Sequence, residues 1–411
     1  MSSGITLIAL VVTIIILLIL AGISIQMLTG DNGILTRAGE AKENTEQSQL
    51  EEHRRLASME AATNLTETVY NDGKKEIKIP SGFAPTGIEG ENTVEDGLVI
   101  TDSKGNEFVW VEVPKDPNVY KESGMDVKFT DDNDYLNIAK DLAIYSSTIL
   151  SNNPTSLADH LPYADKVGKD YTNEYKDVLK SIYQNGGFWI GRYETGIQGT
   201  ENATTSARVG TSPITEYPTE GNVAVIKENV QPYTWVRWRQ AQVLAQRFLP
   251  ATNSSNHTNL LIGVQWDLVL KFIGKDKSVD SNSSNWGNYC DSVFSLKPGS
   301  HYAKPSSLTW KTYNEDEIGV VESSEKKGLA AGNGIIYTTG ANTTQNSIKN
   351  ISDVAGNVWE WTIGRTYSPT FPVSARGSNY SSTGLESPAS DRFFIMANFS
   401  SGGIGFRVTL Y

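Results

Sequence analysis

The chain has 411 residues, 38% hydrophobic and 20% charged, with 35 lysines and arginines against 47 aspartates and glutamates, a formal net charge of -12. This is the make-up of a folded globular protein, and an acidic balance without a basic patch excludes nucleic acid as a partner, because a phosphate backbone would be repelled. One cysteine, Cys290, excludes an intrachain disulfide and a cysteine metal cage, so the fold must rest on its apolar core.

In chain order, the first element is the uncharged run from Ile5 to Ile25, ITLIALVVTIIILLILAGISI, 21 residues long. At 1.5 Å rise it covers roughly the 30 Å of a hydrocarbon layer. Hydropathy therefore predicts a membrane-spanning helix within residues 1–29, and no A-x-A-like signal cleavage site follows it. After the break at Gly30-Asp31-Asn32-Gly33, the stretch from Ile34 to Tyr70 is rich in Ala, Glu, Gln, Lys and Arg and lacks proline, which predicts a surface helix. Leu35, Ala38, Leu56 and Ala57 form only a patchy stripe with no sustained heptad. Residues 30–72 thus read as a solvated helical spacer.

From residue 73 to 411 the pattern changes to short strands and loops. Ile77-Lys78-Ile79-Pro80 is extended, and Leu98-Val99-Ile100 and Phe108 to Val113 flank the turn formers Asp102-Ser103-Lys104-Gly105-Asn106, a hairpin signal. Phe188 to Glu194 gives another strand. Trp235, Trp238, Ala241, Ala245 and Phe248 recur at helical spacing, as do Val264, Leu268, Val269, Phe272 and Ile273, so both segments predict core-facing helices. Ile404 to Leu410 alternates with period two, a strand burying one face. Strands at both ends around a few helices indicate an α+β fold.

Two resemblances rest on these residues. Gly4 followed by Ile5-Thr6-Leu7-Ile8 and the aliphatic run resembles the N-terminus of type IV prepilins, which are cleaved after the glycine. That implies a single-pass location in the cell membrane with the head outside, at a bacterial cell surface or pilus, with the membrane and the pilus machinery as partners. The chain departs from the pilin pattern at Ala9, where pilins carry glutamate, and its leader lacks a basic residue. The second resemblance covers nearly all of residues 76–411. Phe188 to Thr195, the Trp235 helix start, Gln265-Trp266-Asp267, Asp353 to Thr362 (DVAGNVWEWT), Arg376 to Tyr380 (RGSNY) and Gly405-Phe406-Arg407-Val408 resemble, in order, the landmarks of the formylglycine-generating-enzyme (sulfatase-modifying) family. The implied fold is a C-type-lectin-like domain with its two ends paired in one sheet.

Enzymes of that family work through a copper-binding cysteine pair just after the R-G-G-S-type motif. Here that segment reads Ser381-Ser382-Thr383-Gly384-Leu385-Glu386-Ser387, and a hydroxyl is too hard and too weakly acidic to replace a thiolate on copper. No copper and no oxidase chemistry are expected. Related iron enzymes need histidine triads, whereas His53, His160, His257 and His301 are scattered, and no Ser/His/Asp order or phosphate-binding glycine loop is present. The resemblance does imply a structural calcium held by the side chains of Asp353 and Glu360 and the carbonyls of Gly356 and Val358, oxygen ligands that suit calcium. The competing reading has Asp353 capping a turn and Glu360 pairing with a base in the core.

The segment 376–407 mixes Ser, Asn and Gly with Phe393, Phe394, Met396 and Phe399. Scattered aromatics among small polar residues on a rigid scaffold is the composition of a paratope, while Phe393, Ile395 and Phe399 also read as core strand residues. The arrangement resembles the variable proteins of diversity-generating retroelements. On that resemblance the contact positions are Asn379, Ser381, Ser382, Thr383, Glu386, Ser387, Asp391, Phe394, Met396, Asn398 and Ser400. The expected function is a surface-displayed, non-catalytic receptor for a protein or glycan ligand on another cell, virus or host surface. The alternatives are a minor pilin or pseudopilin serving assembly, and a divergent oxidase of the formylglycine-generating family.

Overall fold

The helix formers that follow the first glycine break fold as a single helix, α1 (Ile34–Thr63), in the computed structural model. The model describes residues 12–18, 34–148, 172–202, 223–249, 256–274, 278–292, 296–304, 309–313, 334–342, 347–364 and 370–411. Residues 1–56 and 57–411 form two units. Helix α1 ends short of the expected Tyr70, because Thr66, Thr68, Val69 and Tyr70 favour a pleated conformation over a helical one. They supply β1 (Thr68–Asn71), which pairs antiparallel with β2 (Glu76–Ile79). The sheet structure therefore begins ahead of residue 73. The carboxylate of Asp72 fixes this hairpin by accepting the N–H groups of Lys74, Lys75 and Val94.

The expected single-pass membrane location is corrected. Of the apolar run, only residues 12–18 fall within the described residues, as helix, and seven residues reach only about 10 Å. Among the described residues no helix is long and apolar enough to cross a membrane. The rest of the run lies outside them.

The 57–411 unit is mixed α/β with several sheets. Its chain order is β3 (Phe83–Pro85), β4 (Val99–Asp102), β5 (Glu107–Glu112), α2 (Asp132–Ser147), α3 (Thr172–Asn185), β6 (Gly187–Gly191), α4 (Trp238–Ala245), β7 (Thr258–Leu260), α5 (Gly263–Ile273), β8 (Trp359–Thr362), β9 (Val373–Arg376), β10 (Arg392–Ile395), β11 (Ile404–Phe406) and β12 (Val408–Leu410), with a few two- and three-residue strands between. The larger sheet has six strands in the order β3-β4-β5-β6-β12-β7. Its hairpin β4–β5 closes on Asp102, whose carboxylate accepts from the N–H of Lys104 and from both the backbone and side chain of Asn106. The smaller sheet has four strands in the order β10-β9-β8-β11, and β11 runs parallel to β8.

Three tryptophans join these layers, each burying a large ring while its indole N–H finds a carbonyl. Trp238 of α4 donates to Thr362 O at 2.9 Å, Trp361 of β8 donates to Val236 O at 2.9 Å, and Trp266 of α5 donates to Ala389 O at 3.1 Å. Two expectations shift here. Trp235 does not open α4; it lies before the helix in left-handed backbone, φ 58°, and its backbone N–H donates to Ser401 O. Phe248 falls beyond the helix end and is partly buried against the core.

The closing segment also differs from one half-buried strand. Ile404 to Leu410 is buried throughout and divides at Arg407 into β11 and β12, which belong to different sheets. At the break the Arg407 side chain is satisfied by groups distant along the chain. Its guanidinium donates to both oxygens of Glu360, at 3.1, 3.0 and 2.7 Å, and to the carbonyls of Gly191 at 2.9 Å and Ser352 at 2.7 Å. Removing one partner of such a buried pair leaves an uncompensated charge. Arg407→Ala is expected to cost about 3–5 kcal/mol in urea unfolding. Arg407→Lys should recover only part of this, since an ammonium lacks the planar fork that spans four acceptors.

Candidate functional site

The expected contact segment begins with a hairpin of two arginines in register. Arg376 on β9 stands directly opposite Arg392 on β10, a like-charge pairing that would destabilise a sheet. Asp267, fully buried on α5, resolves it with one oxygen for each: Oδ1 accepts from Arg376 at 2.6 Å and Oδ2 from Arg392 at 3.1 Å. Arg376 also reaches the carbonyls of Ser390 and Asp391, so both ends of the loop 377–391 close on one guanidinium. Gly377 is required at the loop's start: it has φ 86° and a Cβ there would stand 2.8 Å from the Trp266 ring.

Beyond Gly377 the backbone is laced to the segment 278–292. Ser283 N–H donates to Gly384 O, Cys290 N–H to Ser382 O, and Ser390 N–H to Val279 O. The N–H of Ala389 donates to the Ser283 hydroxyl, and that of Gly384 donates to the Ser284 hydroxyl. Cys290, remote in sequence, thus lies beside Ser382, with its side chain buried. Further on, Trp359 N–H donates to Gly403 O.

All eleven expected contact residues keep access to solvent on this frame. Glu386, Phe394, Met396 and Asn398 are exposed or half-buried at the surface, and Asn379, Ser381, Ser382, Thr383, Ser387, Asp391 and Ser400 are half-buried. Asn379 Oδ1 accepts from the N–H and hydroxyl of Ser381, and the Thr383 hydroxyl donates to Glu386. Between them Tyr380, Gly384, Ala389, Ser390 and Ile395 are buried. Phe393 departs from the core role read for it: on the edge strand β10 it is 41% exposed, with one face on the Trp359 ring at 5.4 Å. With Phe394 at 45%, Met396 at 43% and Leu385 at 66%, it adds apolar groups to a polar segment. Ile395 is buried and Phe399 partly buried against the core, in line with their strand reading.

The residues expected to hold calcium sit elsewhere, in the interior. Both oxygens of Glu360 accept from Arg407, and an oxygen of Asp353 accepts from Gly340 N–H at 2.6 Å. Glu194, buried beside them, accepts from the Asn357 side chain at 2.6 Å and from Val358 N–H at 3.1 Å. Calcium needs six to eight free oxygens, and among the described residues no group of three or more His, Cys, Asp or Glu could hold a metal. The Asp353 and Glu360 carboxylates thus already accept hydrogen bonds from the protein, with which an ion would have to compete. Of the histidines, His53 lies on α1, His257 pairs its backbone with Tyr411, His301 is buried with its ring near the Thr312 hydroxyl, and His160 lies outside the described residues.

Sequence reasoning passed over Asp267, Arg392 and Glu194 as functional groups, although Asp267 ends a quoted motif and Glu194 lies within another. No family model matches the chain, and no curated protein matches it. Among solved structures, the chain is similar to Treponema denticola variable protein 1, with a TM-score of 0.29 and 14% identity, over 55% of this chain and 84% of that one.

Two measurements test this arrangement. Asp267→Ala strands two arginines opposite each other, and a loss of about 3–5 kcal/mol in chemical denaturation is expected. The buried carboxylates set a pH dependence. Burial, then Asp353 and Glu360, push Glu194 well above its usual value, and burial pushes Asp353 up to about 6. A raised folded-state pKa means stability is fully present below the unfolded value near 3.8 and is lost as pH rises through about 6. The stability that Asp353 contributes should therefore fall between the unfolded value near 3.8 and about 6 and level off above it, and Asp353→Asn should flatten the slope in thermal melts.

Proposed function

We propose that this chain is a non-catalytic ligand-binding protein with a C-type-lectin-like fold, of the diversity-generating-retroelement variable kind, whose contact surface is the segment from Asn379 to Ser400. One observation carries the reading: the backbone of this segment is pinned by bonds that do not depend on the outward side chains. The main-chain links to 278–292 and the carbonyls held by Arg376 would survive exchange of Ser381, Ser382 or Phe394 for almost any residue. A scaffold of that kind can change its ligand without refolding.

Phe393, Phe394 and Met396 would serve as apolar anchors and the Ser and Asn residues as adaptable hydrogen-bonding groups, the division of labour of a paratope. The ligand would be a protein or a glycan. The segment where the resembled enzymes carry a cysteine pair holds serines, which supports binding over oxidation.

The test is a double variant, Phe394→Ser with Met396→Ser, screened with the parent protein against protein and glycan arrays. Exposed positions should change stability by no more than about 0.5 kcal/mol, while any ligand captured by the parent should be bound at least tenfold more weakly, as loss of a buried anchor requires. Unchanged capture by a folded double variant would refute the assignment.

A further inference from the structure

Although the protein is acidic overall, it holds a lysine-rich cleft of 340 Å³ that shares no residue with the contact segment. Lys74 and Lys75 from the β1–β2 turn, Lys271 from the last turn of α5, and Lys349 line it, with Asp72, Glu95 and Glu112. Most of these charges are already committed. Lys74 pairs with Glu95, and Lys75 with Glu112. The Asp72 carboxylate is spent on three backbone N–H groups. Slight burial would raise its pKa, but those donors outweigh it and hold the group below the usual carboxylate range.

Lys271 and Lys349 remain. Both are half-buried, and neither has a carboxylate partner among the described residues. Lys271 donates to the Thr148 hydroxyl and lies over the Tyr145 ring, at 5.0 Å; Lys349 lies over the Phe272 ring at 4.2 Å. Burial lowers the Lys271 pKa, the sign of an ammonium lacking a counterion. Lys349 is presented by a tight hairpin turn. It and Asn350 have φ 50° and 62°, and the turn is clamped by the Asn350 side chain, which donates to the carbonyls of Gly90, Asp96 and Gly97. It presses so closely on Gly97 that a Cβ there would stand 2.0 Å from Lys349 O. These are the two central residues of the hairpin that joins Ser347–Ile348 to Ile351–Ser352, a turn that takes φ > 0 at both, and the clamp holds the Lys349 side chain in a fixed place.

We infer that this cleft binds a small oxyanion-bearing molecule, a carboxylate or phosphate on a polar body, between the ammonium groups of Lys271 and Lys349. The cleft volume lies at the lower end of small-ligand sites. Two ammonium groups act as point charges without the planar fork of arginine, so they accept either oxyanion and place the selection on the body of the ligand. Four lysines against three carboxylates leave one positive charge in the cleft, which suits an anion.

The test titrates the full chain with glucuronate, glucose 6-phosphate and glucose by calorimetry at low salt. Glucuronate or the phosphate ester should bind and glucose should not; the stronger of the two identifies the oxyanion. Lys349→Met and Lys271→Met should each weaken that binding about tenfold or more, as loss of a charge-assisted bond requires, and salt at about 1 M should abolish it by screening. Binding of neither anion, or equal binding by both variants and the parent, would overturn the assignment. Because the contact segment is untouched, capture on the protein and glycan arrays should be the same for both lysine variants.

Discussion

The buried pair between Arg407 and Glu360 is the constraint on which the rest of the structure depends. The closing residues must serve two sheets: β11 runs parallel to β8 in one, and β12 lies between β6 and β7 in the other. A chain changing sheets exposes carbonyls that no ladder satisfies. Arg407 stands at that change, and its guanidinium holds the carbonyls of Gly191 and Ser352 on neighbouring strands together with the Glu360 carboxylate. One guanidinium thereby connects β6, the 351–352 strand and β8. The electrostatic consequence is a surplus of buried negative charge, because Glu194 and Asp353 share the same interior with Glu360. Arg407 contacts Glu360 directly, yet burial outweighs that contact and raises Glu360 to about 7, and Glu194 and Asp353, raised as well, hold protons or rely on amide donors.

The same device recurs at the contact segment with the signs exchanged. There one buried carboxylate, Asp267, holds two arginines. Buried ion pairs are weak sources of net stability, but breaking one is costly, so each favours a single arrangement of strands. In the hairpin β9–β10 this fixes register. It also separates two tasks: buried Arg376, Tyr380, Ser390 and Ile395 fix the path of the chain, while the side chains between them meet solvent. A surface whose path does not depend on its outward residues is free to vary in chemistry. The lysine cleft has the converse character, with specific side chains that cannot be exchanged without loss of the charge they present.

Much of the fold was legible because it follows from local pattern. The β4–β5 hairpin lies where Asp102 to Asn106 place the turn, α5 covers the predicted apolar period, and the mixture of strands and helices is the predicted mixture. Local pattern failed where side chains act at long range. Alternation from Ile404 to Leu410 suggested one strand, since nothing near Arg407 in sequence reveals that Glu360 waits 47 residues earlier. The spacing of Trp235 suggested a helix start because periodicity does not register a left-handed backbone. Phe393 looked like core, and its partial exposure follows from β10 being an edge strand, a property of sheet order and not of sequence.

The sequence by itself determined the class of the chain: an acidic, folded, disulfide-free protein of mixed helix and strand with a segment rich in small polar and aromatic residues. Those properties follow from composition and from neighbours a few residues apart. Only the tertiary structure decided which charged groups meet, namely Arg407 with Glu360, Asp267 with two arginines, and Lys271 and Lys349 on one cleft. Pairings across such distances along the chain are set by packing, and burial then fixes what each charge must find.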